Sequence, residues 1–319
     1  MIEIAGLTKR FGPITAVAGI DLAVGKGEVL GFLGPNGAGK STTMKMVAGY
    51  LAPDAGSVRI CGHDIESDTL AAQRQIGYLP EGAPAYPDMT PRQFLRFIAE
   101  VRALPRDAAR QALTDAVANT ELEPVLDQPI DTLSKGFKRR VGLAQAILHN
   151  PPVLIMDEPT DGLDPNQKHA VRQLIRSMAS EKSIIISTHL LEEVEAICSR
   201  AVIIDRGRVV ADGTPAGLLA RSRHHNAVTL MLAAADAERA GATLKTLPEV
   251  ADVEQLASNG TATLTAYSRN GAVLIDNVIA AASREGWDVK ELYAEPGRLD
   301  EVFRAVTTSD AARARESRA

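Results

Sequence analysis

The stretch GPNGAGKST, residues 34–42, constrains the fold more than any other part of this sequence. It satisfies G-x-x-x-x-G-K-[ST] in full and directly follows the apolar run EVLGFLG (28–34). Gly34, Gly37 and Gly39 let the backbone wrap closely, so that N–H groups point at phosphate oxygens. Lys40 brings a cation to the β- and γ-phosphates, and the Ser41 hydroxyl can ligate Mg²⁺. Pro35, Asn36, Ala38 and Thr42 complete the candidate cradle. The helix that STTMKMVAGYL opens offers its positive end to the same anion. An ordinary Gly-rich turn would not need strand, full motif and helix in register. The loop does not name a function by itself, because kinases, GTPases and motor ATPases share it.

Around it, short apolar runs alternate with helical patterns. PVLIMDE (152–158) and SIIISTH (183–189) read, like EVLGFLG, as strands buried on both faces of a parallel sheet. SVRICGHDI and AVIIDRGRVVADG read as hairpin pieces. Residues 88–150 read as helical. There MTPRQFLRFIAEVRAL sets Thr90 as N-cap, Pro91 at the first helical position and Gln93 in a capping box. Phe94, Phe97, Ile98, Val101 and Leu104 recur at helical spacing, the pattern of a surface helix packing one face.

Near residue 221 the character changes. RSRHHN reads as a polar, basic linker in which His224 and His225 are solvated. Strand (227–233), helix (236–246), strand (250–257), strand (261–267), helix (270–285) and strand (287–293) then give a βαββαβ order, that of a ferredoxin-like domain. SNG at 258–260 is a hairpin signal. A short helix, GRLDEVFRAVT, precedes a polar tail (308–319) expected to be flexible.

A length of 319 residues suits about two domains. The net charge of −5 argues against nucleic acid as the main partner. Cys61 and Cys198 are too few for a disulfide framework and fit a reduced, cytoplasmic protein. The opening residues lack a signal-peptide pattern, and no apolar run approaches the ~20 residues of a membrane helix. A link to a membrane would therefore run through a partner.

Three further motifs carry chemistry. VLIMDE (153–158) is an apolar strand ending in two acids. Beside a phosphate loop, Asp157 would hold Mg²⁺ through water, and Glu158 would accept a proton from an attacking water. His189 ends another strand, where it could hydrogen-bond a γ-phosphate. Glu192, Glu193 and Glu195 after it read as a solvated helix face. TLSKGFKRR (132–140) combines small residues, a hydroxyl and positive charge, as an anion site would.

In order, GPNGAGKST, LSKGF, VLIMDEPTDGLD and STH resemble the nucleotide-binding subunit of ABC transporters, over about residues 1–220. The resemblance implies a P-loop NTPase fold of class α/β, with a parallel core sheet, an antiparallel β subdomain and a helical subdomain (88–150). The ferredoxin-like α+β domain (227–307) would be accessory. The resemblance further implies ATP and Mg²⁺ as ligands and ATPase activity coupled to transport. Phe11 would stack on adenine. GYLPE (77–81) falls at the family's Q-loop, with Glu81 where glutamine is usual. Glu81 can still ligate Mg²⁺, but it has no amide N–H to offer the attacking water.

Two such cassettes would pack head to tail, each ATP lying between one P-loop and the partner's signature loop. Ser134 and the Gly136 N–H would reach the γ-phosphate, and Asp164 would touch the opposite subunit. Lys135 stands where glycine is usual. LSKG together with YLPE resembles ATPases of bacterial ABC-2-type exporters and gliding-motility systems. Implied partners are a second copy and a membrane permease meeting residues 82–100, on the inner face of the cell membrane. The alternatives are a soluble ABC ATPase of translation or DNA repair, and a scaffold that does not hydrolyse ATP.

Overall fold

A computed structural model describes residues 1–258 and 260–316. The chain divides into two compact units, Met1–Gly213 and Thr214–Ala319.

The first unit opens with β1 (Ile2–Phe11) and β2 (Ile14–Val24), an antiparallel pair. Its inward residues, among them Ile2, Leu7, Val17 and Ile20, are buried, and the intervening ones are mostly exposed. This is the alternation of a sheet with one wet face. After β3 (Val29–Leu33) and α1 (Lys40–Val47), the strands β4 (Ala55–Ile60) and β5 (His63–Asp64) join that sheet in the order β2-β1-β4-β5. Cys61 and Gly62 make the β4–β5 turn with φ of 51° and 88°, the two positive values that a tight hairpin asks for.

Next come α2 (Thr69–Arg74), β6 (Ile76–Leu79), α3 (Pro91–Val101), α4 (Arg106–Asn119) and α5 (Lys135–Ile147). The unit closes with β7 (Val153–Asp157), α6 (Pro165–Ala179), β8 (Ser183–Thr188), α7 (Leu191–Ile197), β9 (Arg200–Asp205) and β10 (Arg208–Gly213). The second sheet has the order β10-β9-β3-β8-β7-β6. Its strands are parallel except β10, which is antiparallel to β9. β3, β6, β7 and β8 are buried at every position, as continuous apolar runs between helices must be. AVIIDRGRVVADG does form a hairpin, yet β9 also pairs with β3 and so belongs to the core sheet. One core joins the two sheets through residues such as Leu7, Ile20, Phe32, Met44 and Ile155. With β3, β6, β7 and β8 parallel, the residues after them emerge at one edge of the sheet. Ligands of open α/β sheets bind at that edge.

The capping box of α3 is complete. The Gln93 N–H donates to Thr90 Oγ1 at 3.2 Å, and the Thr90 N–H donates to Gln93 Oε1 at 2.9 Å. The apolar stripe behaves otherwise than expected of a packed face. Phe94 is buried, Phe97 and Ile98 are half-buried, and Val101 is 64% exposed. Phe94, Phe97 and Ile98 instead line an open groove.

The second unit begins with α8 (Pro215–Leu219) and continues β11 (Val228–Ala233), α9 (Ala237–Lys245), β12 (Val250–Ser258), β13 (Thr261–Ser268), α10 (Ile275–Glu285), β14 (Val289–Ala294) and α11 (Leu299–Glu316). The sheet order β12-β13-β11-β14, antiparallel throughout, is that of a ferredoxin-like fold. Ser258 pairs with Thr261; Asn259 of the expected SNG signal lies outside the described residues, as do residues 317–319.

Within RSRHHN the two histidines are half-buried rather than solvated, while Arg221 and Arg223 are exposed. Ser222 is buried, His224 Nδ1 lies 3.0 Å from Glu301, and His225 Nδ1 lies 2.9 Å from the Pro296 carbonyl. Leu230, Leu244, Leu264 and Val278 form the core between helices and sheet. Leu264 is fully buried, under a glycine of α9 whose Cβ would stand 3.3 Å from it. Leu264→Ala is expected to cost about 2–5 kcal/mol, read from denaturant unfolding monitored at Trp287 of the same core. Among the described residues, no helix is long and apolar enough to cross a membrane.

Candidate active site

The loop between β3 and α1 is shaped by its glycines. A Cβ on Gly39 (φ 107°) would stand 2.3 Å from the Ala16 carbonyl oxygen, and one on Gly34 would stand 2.4 Å from that of Ile204. Gly37 has φ 80° and faces open space. Gly39 caps α1 without a side-chain bond, so the first N–H groups of the helix stay available to an anion. Pro35 and Ala38 brace the loop from within: the Ala38 N–H donates to the Pro35 carbonyl at 3.1 Å. Gly39→Ala is expected to remove nucleotide binding, since φ and space both exclude the methyl group; equilibrium binding of a fluorescent ATP analogue reads this.

Lys40 is buried, and its ammonium donates to the carbonyl oxygens of Gly34 at 2.6 Å and Pro35 at 3.2 Å. Burial pushes its pKa down, against the pull of Glu158, Asp157 and Glu81. It opens onto a cleft of about 330 Å³ that is also lined by Ala16, Asn36, Gly37, Gly39, Ser41, Thr42, Glu81, Asp157 and Glu158. Asp157, at the end of β7, is 2% exposed, and its Oδ2 has no hydrogen-bond partner among the described residues. A buried polar oxygen left so is costly unless something else meets it. Ser41, Glu81 and Asp157 thus supply oxygens of the kind a hard divalent cation takes.

Glu158 follows with φ 53°, a left-handed conformation that costs a side-chain-bearing residue on the order of 1–3 kcal/mol. Its side chain is 14% exposed, and Oε1 lies 2.9 Å from Nδ1 of His189, whose ring is 54% exposed. The chain turns past His189 as the Leu190 N–H donates to Thr188 Oγ1 at 3.0 Å.

The other expected site residues lie outside this cleft. Phe11 is 49% exposed at the end of β1, its ring 5.8 Å from the Lys9 ammonium. Ser134 caps α5, accepting from the Phe137 N–H at 3.3 Å, and Asp164 caps α6, accepting from the Gln167 N–H at 2.9 Å. Gly136 packs so closely on α6 that a Cβ would stand 2.5 Å from Gln167 Oε1. Lys135 is exposed, and its stem runs beside Gly162.

Glu193 departs from the expected solvated face. It is fully buried, neither carboxyl oxygen has a hydrogen-bond partner among the described residues, and burial raises its carboxyl pKa. Glu192 and Glu195 are exposed as expected. Sequence reading also missed Ala16, a small residue with no motif, and Arg139, hidden within a basic run.

Residues 17–161 match the family described as "ABC transporter". Over 310 residues the chain is 32% identical to Nod factor export ATP-binding protein I of Ralstonia nicotianae, spanning 96% of this chain and 94% of that protein. The chain belongs to the ABC transporter family. It is also 35% identical over 222 residues to linearmycin resistance ATP-binding protein LnrL of Bacillus subtilis, covering 69% of this chain and 71% of the relative. Among solved structures, one titled "Structure of ATP binding subunit of ABC transporter" superposes with a TM-score of 0.64 at 32% identity, covering 68% of this chain and 91% of its own. As a member of this family, the chain is an ATP-binding transporter subunit and an ATPase.

Proposed function

We propose that the chain powers an ABC-2-type exporter as one half of a head-to-tail pair of identical subunits, held at the inner face of the membrane by a permease. The supporting observation is that Ser134, Lys135 and Gly136 do not line the cleft around Lys40 of their own chain. Two anion-holding loops kept apart in one subunit suit a nucleotide shared between two. Export is suggested by the name of the relative in Ralstonia nicotianae.

In this reading Lys40 and the N–H groups of the P-loop hold the phosphates, and Phe11 stacks on adenine. Ser41, Asp157 and Glu81 hold Mg²⁺, which supplies positive charge to the triphosphate. Glu158 takes the proton of the attacking water, and His189 contacts the γ-phosphate and fixes the Glu158 carboxylate. Ser134, Lys135 and Gly136 of the partner close over the γ-phosphate, and Asp164 meets the partner beside it.

The permease meets the groove of about 700 Å³ lined by Pro84, Ala85, Tyr86, Phe94, Phe97 and Ile98. Tyr86 is 53% exposed there, and aromatic side chains lining a concavity are the usual make-up of a binding site. Site-specific crosslinking from Tyr86 and Phe97 is expected to trap a co-expressed permease; contacts made only elsewhere would reject the assignment. Lys135→Gly is expected to keep ATP turnover within about tenfold, ~1.4 kcal/mol of barrier. A larger loss in a steady-state assay would mean that the ammonium itself touches phosphate.

A further inference from the structure

Glu158 sits in a left-handed turn, φ 53°, and something must hold it there. Its own N–H donates to the Ser187 carbonyl at 2.9 Å, which secures the entry to the turn. At the exit the Glu158 carbonyl accepts from the Asp161 N–H at 3.1 Å, and a further hold comes from another element. Arg139, on α5, is 5% exposed. Its Nη2 donates to the carbonyls of Asp157 and Glu158, and its Nε donates to that of Pro159 at 3.4 Å. Its Nη1 donates to the Pro80 carbonyl at 3.1 Å. One guanidinium therefore binds three successive carbonyls of the Glu158 turn and one in the loop that carries Glu81.

All four acceptors are backbone, so these bonds fix chain geometry rather than pair charges. Arginine suits the task because its donors form a rigid planar fork. α5 also grips the strand before this loop and the loop itself. Gln145 Nε2 donates to the Tyr78 carbonyl at 2.5 Å. Gly142 lets the helix approach so closely that a Cβ would stand 2.6 Å from Ala83 Cβ. Burial works against the cation, while Asp161, Asp157, Glu158 and Glu81 work for it. A buried charge with no contacting carboxylate is an expensive way to gain stability alone.

We propose that Arg139 is the positioning residue for Glu158: it holds the carboxylate in its left-handed turn and locks that turn to the Glu81 loop and to α5. Because Ser134 caps α5, a displacement of the signature loop is transmitted through one side chain to the base of the same subunit. The proposal rests on Glu158 being the base.

The test is steady-state ATPase kinetics of the full chain carrying Arg139→Lys or Arg139→Gln, with folding followed by thermal melting. Misplacing Glu158 is expected to lower kcat by about tenfold or more. KM for ATP should stay within about threefold, because Arg139 does not line the cleft. In a Glu158→Gln background, adding Arg139→Lys is expected to lower the residual turnover by no more than about twofold, since the residue acts through Glu158. Losses that multiply fully, or single variants within about threefold of the parent kcat, would overturn the proposal. So would failure of both variants to fold, which would make the role structural. Wild-type turnover by Glu158→Gln would instead reject the base reading, and the proposal with it. An inactive Glu158→Gln beside unaffected Arg139 variants would reject the proposal alone.

Discussion

Glu158→Gln is expected to lower ATP turnover by about 10²–10⁴-fold, the usual contribution of a general base, while ATP still binds. The substitution changes shape very little, and an amide oxygen can still accept from His189 Nδ1, 2.9 Å from Glu158 Oε1 in the parent. What disappears is an acceptor able to take a proton. On the barrier scale the loss corresponds to about 2.7–5.5 kcal/mol. Asp157 and Glu81 line the same cleft, so removing one negative charge near the triphosphate favours binding rather than weakening it. ATP that binds and is not consumed should accumulate the closed pair of subunits. Size-exclusion chromatography with ATP should show the dimer for Glu158→Gln and mainly the monomer for the parent after turnover. Turnover equal to the parent would mean that the proton leaves by another route.

What the sequence disclosed, and what it hid, divides along the range of the interactions. The P-loop, Asp157, Glu158 and His189 were legible because each lies at the carboxyl end of a buried, largely apolar strand, and local chemistry names the residue types needed there. The ferredoxin-like order in the second unit was legible through alternation and turn spacing. β6 was not read as a strand, for it has four residues between Gln75 and Pro80. Arg139 looked like part of a basic surface run, and Glu193 like part of an acidic one. Both are buried, because helix packing decides which face of such a run turns inward. The same limit applies to Phe97, Ile98 and Val101. Their spacing announces a helix face but not whether the chain itself covers it. His224 seemed a linker residue because Glu301, its partner, is 77 residues away.

Lys40→Ala is expected to abolish nucleotide binding and turnover without destabilising the ligand-free protein. The two halves of that expectation have one cause. Lys40 is buried, and its folded pKa lies below the ordinary lysine value of 10.5, chiefly through desolvation. The folded chain therefore binds this proton less readily than the unfolded chain. That cost to stability is fully present below the lowered folded value and is relieved as pH rises from there toward 10.5. Alanine removes the buried charge, so the ligand-free melting temperature should hold or rise. The lost bonds to the Gly34 and Pro35 carbonyls leave acceptors in a cleft that water enters, which limits the penalty. With ATP the comparison reverses. ATP at a hundred times its Kd stabilises the parent by about 2.7 kcal/mol, roughly a 5–10 °C rise for a unit of this size. Without the ammonium the triphosphate meets Glu81, Asp157 and Glu158 with no side-chain cation among the residues lining the cleft, and the rise should vanish. A thermal-shift titration of both proteins separates the outcomes. An ATP-induced rise surviving in Lys40→Ala would show that backbone N–H groups alone hold the phosphates. A fall in the ligand-free melting temperature would show that the ammonium stabilises the loop rather than straining it.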